Sequence, residues 1–139
     1  MIIIDTGPLV ALLTQQETAH EWVTQRVKRM TAPILTCEAV LTEAFFLLAK
    51  SQTGPQALWQ LLERDLLRVD FAFQREKTAL KNLMQKYQNI PMSLADACLV
   101  RMSEIHPQAH IFTLDSDFQI YRKNTHEVIS CLAPWQPER

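Results

Sequence analysis

Met1-Ile2-Ile3-Ile4-Asp5-Thr6-Gly7-Pro8 is the stretch whose reading decides the fold. Ile2, Ile3 and Ile4 are β-branched and show no alternation of apolar and polar residues, the mark of a strand buried on both faces in a parallel sheet. Thr6-Gly7-Pro8 reads as a strand-to-helix turn, with Pro8 suited to the first helical turn, where no backbone N–H is needed. Outward from there, Leu9–Thr14 and His20–Met30 read as helices and Pro33-Ile34-Leu35-Thr36 as a second strand. The pattern predicts helices over Glu38–Lys50, from the break at Thr53-Gly54-Pro55 through Arg64, and over Arg75–Tyr87. A further helix after an N-cap at Ser93 runs to Ile105. Leu66–Phe71, His110–Leu114 and Glu127–Leu132 read as strands, and Phe118–Arg122 as a short helix. Short apolar strands alternating with amphipathic helices give an α/β fold, a central mostly parallel sheet flanked by helices on both faces.

The 139 residues suffice to bury one core without disulfides. Two glycines and no Ser/Gly-rich linker, repeat or low-complexity tract leave residues 1–139 as a single domain. Hydrophobic residues make up 47% and charged residues 21%, which excludes a disordered chain. Fourteen basic residues against fifteen acidic ones give a net charge of -1, so any contact with a polyanion must come from local arrangement or bound cations. Cys37, Cys98 and Cys131 are far apart with no C-x-x-C pair, and read as small buried hydrophobes in a reducing compartment. The apolar N-terminus lacks a basic lead and is interrupted by Asp5 and Pro8, unlike a signal peptide. No run approaches the roughly 18 apolar residues of a membrane span. A cytoplasmic protein with no membrane partner is expected.

Four carboxylates stand in telling places. Asp5 ends the first strand and Asp115 the fourth, and ligand sites of open parallel sheets gather at the carboxyl ends of strands. Either aspartate alone reads first as a turn or helix-cap residue. Glu43 shares a helical face with Ala39, Val40, Phe46 and Leu47, where an unpaired carboxylate is costly; a rim position or a partner arginine answers equally well. Asp96 lies on the side of Met92, Ser93, Leu99 and Val100, and at a first helical turn the helix dipole offers it a structural role. Converging carboxylates repel unless a divalent cation offsets them, and oxygen-only ligation suits Mg²⁺ or Mn²⁺.

The ordered set of motifs Ile3-Ile4-Asp5-Thr6-Gly7-Pro8, Leu41-Thr42-Glu43-Ala44, Leu94-Ala95-Asp96-Ala97 and Thr113-Leu114-Asp115-Ser116-Asp117-Phe118 resembles PIN-domain nucleases, particularly VapC-type toxins of toxin–antitoxin pairs. The resemblance implies a PIN-like fold and a metal-dependent endoribonuclease holding one or two Mg²⁺ or Mn²⁺ ions. It assigns Asp5, Glu43, Asp96 and Asp115 as catalytic metal-binding acids and Asp117 as an additional acid. Thr6, Thr113 and Ser93 match hydroxyls beside the site. RNA substrate, an antitoxin partner and a homodimer follow from it. Alternatives are a PIN nuclease of RNA processing without an antitoxin and a catalytically silent PIN-like module binding RNA or protein.

Arg122 and Lys123, close behind the Asp115 motif, are candidate contacts to RNA phosphate. His106 and His110 have i, i+4 spacing, but Pro107 between them makes a helix-to-strand loop the better reading. The apolar residues from Phe45 to Leu62 read first as core and second as a groove for an antitoxin helix or a dimer surface. No G-x-S-x-G elbow, G-x-G-x-x-G turn or P-loop is present, which argues against serine hydrolase, dinucleotide and nucleotide-triphosphate sites.

Overall fold

Ile2–Ile4 forms strand β1, with Ile3 and Ile4 fully enclosed, in a computed structural model that describes residues 1–136. Helices α1 (Thr6–Leu12) and α2 (His20–Val27) lead to β2 (Ile34–Thr36), and α3 (Glu38–Leu48) and α4 (Gly54–Glu63) lead to β3 (Leu67–Val69). Helices α5 (Phe73–Lys86) and α6 (Leu94–Ile105) then carry the chain to β4 (His110–Phe112). A 3-10 turn over Ser116–Gln119, a hairpin of β5 (Arg122–Lys123) and β6 (Glu127–Val128), and β7 (Cys131–Leu132) complete the described chain.

The main sheet runs β3-β2-β1-β4-β7 with every neighbouring pair parallel. From β1 the chain steps outward to β2 and β3, then returns to lay β4 on the other side of β1. Crossovers that leave β1 in opposite directions, with the right-handed connection usual for parallel strands, place helices on both faces. Trp22 of α2 packs on Phe112 of β4 at 5.7 Å between ring centroids. Helix α6 lies against β1 and β4 and is buried almost all round, from Ala95 to Val100 and at Met102 and Ser103. The reversal between β1 and β4 opens a crevice at their carboxyl ends, where doubly wound sheets bind ligands.

Local differences from the sequence reading have local causes. Helix α1 begins at Thr6 rather than Leu9, because Asp5 caps it by accepting a hydrogen bond from the Thr6 amide at 2.7 Å. The helix expected over Phe118–Arg122 is instead the 3-10 turn followed by β5, which pairs antiparallel with β6. Asn124 and Thr125, at φ of 49° and 70°, make the left-handed turn that suits a tight hairpin. The strand expected over Glu127–Leu132 is correspondingly divided, β6 in the hairpin and β7 in the main sheet. Cys37 and Cys98 are buried free thiols, as read, whereas Cys131 is partly exposed. Among the described residues no helix is long and apolar enough to cross a membrane.

Candidate active site

Asp5 leaves β1 directly into the crevice. Its amide donates to the Phe112 carbonyl at 2.9 Å, extending the β1–β4 ladder by one rung. The Thr113 hydroxyl, next on the β4 side, donates to Asp5 Oδ2 at 2.7 Å and accepts from the Asp115 amide at 2.9 Å. One threonine therefore ties the two aspartates together from adjacent strand ends. Asp115 in turn caps the 3-10 turn, its Oδ1 accepting from the Asp117 amide at 2.9 Å.

Asp96 arrives from α6. Ser93 is the N-cap, its hydroxyl accepting from the Asp96 amide at 3.0 Å while the Ser93 amide reaches Asp96 Oδ2 at 3.4 Å. This reciprocal box fixes the first turn of α6. Ser93→Ala is expected to cost about 1 kcal/mol of stability in denaturant melts; an unchanged midpoint would show the cap to be idle.

Electrostatics link the three aspartates. Burial pushes the Asp5 carboxyl up to about 6, against the hydrogen bonds from Thr113 and Thr6, and the charges of Asp96 and Asp115 add to the rise. Asp96 is raised too, first by burial and further by the Asp115 charge, with the Tyr121 hydroxyl opposing. The carboxylates feel one another without forming a finished cage. Among the described residues, no group of three or more His, Cys, Asp or Glu is gathered closely enough to hold a metal ion as it stands.

Glu43 lies outside this buried trio. The inward line of α3 is Val40, Ala44 and Leu48, while Phe46 and Leu47 of its expected apolar stripe are 77% and 50% exposed. Glu43 is exposed beside that line, at the rim, where the Thr6 hydroxyl donates to its Oε2 at 3.4 Å. Arg122 and Lys123 are turned elsewhere. The Arg122 guanidinium donates to the carbonyls of Gln119, Ile120 and Tyr121, and the Lys123 ammonium to that of Pro107. Pro107 precedes β4, at the end of the sheet opposite the aspartates. His106 meets Asp70 at 3.3 Å and His110 meets Ser130 at 2.5 Å, so the two histidines do not form a pair.

A family model of the PIN domain matches residues 2–124. The chain belongs to the PIN domain family. Among solved structures it is similar to the Mycobacterium tuberculosis VapC20 toxin, described as cleaving the sarcin-ricin loop, with a TM-score of 0.75 and 18% identity over 86% of this chain and 94% of that one. At that identity the likeness is one of fold. No curated protein matches the sequence. In this PIN domain the sequence reading missed Tyr121, whose hydroxyl donates to Asp96 Oδ2 at 3.0 Å. Its position three residues after Phe118, in a segment read as helix, gave no hint of that contact.

Proposed function

We propose that this PIN domain is a metal-dependent endoribonuclease in which Asp5, Asp96 and Asp115 bind the cation and Glu43 joins them from the rim. The observation that carries the reading is the meeting of three aspartates at the β1–β4 crevice, with the Asp5 carboxyl held at about 6 by burial and its acidic neighbours. A polypeptide gains nothing in stability from such a cluster; a cation removes its cost. The donors are all oxygen and suit one or two Mg²⁺ or Mn²⁺ ions. Asp96 Oδ1 and Asp115 Oδ2 accept no hydrogen bond among the described residues, so each has lone pairs to offer.

A bound divalent cation would polarise the RNA phosphodiester and lower the pKa of water beside it. The chain's own work is orientation. The Thr6 amide and the Thr113 hydroxyl hold the two Asp5 oxygens apart in one rotamer, and Ser93 fixes the turn that carries Asp96. Asp117, partly exposed two residues beyond Asp115, would act through water. With Arg122 and Lys123 bound to carbonyls, cations take the main part in neutralising phosphate.

The toxin reading draws on the likeness of fold to VapC20 and on an exposed apolar surface. Phe46, Leu47 and Trp59 are 77%, 50% and 54% exposed, although Leu48 and Leu58 of the same helices are core. An antitoxin helix or a second copy would cover them, and in this reading the protein acts on RNA in the cytoplasm. The silent-module alternative is favoured by one observation, the lack of a ready coordination shell among the described residues. Purified protein incubated with mixed cellular RNA and Mg²⁺ or Mn²⁺ should cut it, and EDTA should stop the cutting. Protein that neither binds Mn²⁺ nor cuts RNA would favour an RNA- or protein-binding module and would sink the nuclease assignment.

A further inference from the structure

Tyr121 is fully buried, edge-on to Tyr87 and Phe118 with ring centroids at 5.1 Å and 5.3 Å. Its hydroxyl lies 3.0 Å from Asp96 Oδ2 and 3.2 Å from the Pro91 carbonyl. A phenol has a single proton, and an ionised carboxylate holds it more strongly than a neutral carbonyl does. Both hydrogen bonds that Asp96 accepts, from Tyr121 and from the Ser93 amide, fall on Oδ2. Oδ1 receives none among the described residues. The two neighbouring rings and the Pro91 carbonyl leave the phenol little room to follow a rotating carboxylate, so the bond is made by a fixed donor.

We infer that Tyr121 is a positioning residue of the acidic site: its hydroxyl engages Asp96 Oδ2 and so leaves Oδ1 available to a cation that Asp5 and Asp115 would also hold. The inference rests on the nuclease reading and adds to it a residue outside the four acids. Groups that orient a ligating carboxylate commonly change metal affinity by 10–100-fold when lost. Without the phenol proton, Asp96 keeps only its contacts to Ser93, whose amide lies 3.4 Å from Oδ2.

Tyr121→Phe keeps the packed ring and removes the hydroxyl alone. Mn²⁺ titration by calorimetry, RNA cleavage across a range of Mn²⁺ concentrations and thermal melting of the metal-free protein are to be measured on wild type and variant. The expected result is an affinity for Mn²⁺ weaker by about 10-fold, cleavage largely restored at saturating Mn²⁺, and a melting temperature within a few degrees of wild type. Equal Mn²⁺ affinity in both proteins overturns the inference and leaves the nuclease reading standing. A lowered melting temperature with unchanged affinity also overturns it, making the hydroxyl structural. Wild-type protein that neither binds Mn²⁺ nor cuts RNA overturns both.

Discussion

Asp5→Asn is expected to reduce metal-dependent RNA cleavage by about 100-fold or more. Asp5 is hydrogen-bonded to the Thr113 bridge and raised by burial, with the charges of Asp96 and Asp115 adding to the rise. An asparagine keeps the size and the acceptor for the Thr6 amide but supplies no negative charge to a cation. Losing one charged ligand from a site that stabilises charge on a phosphodiester removes several kcal/mol, and 100-fold corresponds to about 2.7 kcal/mol. Single-turnover cleavage of one RNA by wild type and variant, at matched Mn²⁺, measures it. A variant within a few-fold of wild type would remove Asp5 from the site.

The same substitution should act in the opposite direction on the metal-free fold. A carboxyl held at about 6 in the folded state against 3.8 in the open chain keeps its proton longer when folded. Below 3.8 both states are protonated and no penalty exists. As pH rises through this window the unfolded chain ionises first, so the folded protein loses stability, reaching a deficit of about 3 kcal/mol above both values. Asparagine has no such deficit, although Thr113 must reorient toward its amide group. At pH 7 without metal, Asp5→Asn should therefore melt higher than wild type by roughly 5–10 °C, and the difference should vanish near pH 3.5. Mn²⁺ should raise wild type more than the variant. Melting curves that stay parallel across pH would mean that water reaches Asp5 freely.

The sheet and its order of elements were legible because the three-isoleucine run and its apolar counterparts leave no polar face. The Ser93 cap was legible because a serine three residues before an acid, ahead of an apolar run, has few other uses. The region after Asp115 was not. A β-branched Thr125 at positive φ is a poor advertisement for a tight turn, so hairpin and edge strand merged into one expected strand. The placement of Asp5, Asp96 and Asp115 followed from the strand ends and the α6 cap. Glu43 was harder, because its apolar neighbours Phe46 and Leu47 point outward, and helical spacing alone does not say which of two adjacent ridges faces the core. The engagements of Arg122 and Lys123 with carbonyls depend on the hairpin and were unreadable for the same reason.

The rung from the Asp5 amide to the Phe112 carbonyl continues the pairing of Ile2 with His110, Ile3 with Ile111 and Ile4 with Phe112, and the Thr113 hydroxyl meets Asp5 just beyond it. The acidic crevice is thus in phase with the sheet: Asp5 hangs from the last hydrogen bond of the central strands, and Asp115 is tied to it through the Thr113 hydroxyl. Breathing of these two strands would scatter the carboxylates while every helix was still wound. A molecule that pried β1 from β4 at their far end would disarm the crevice without ever entering it.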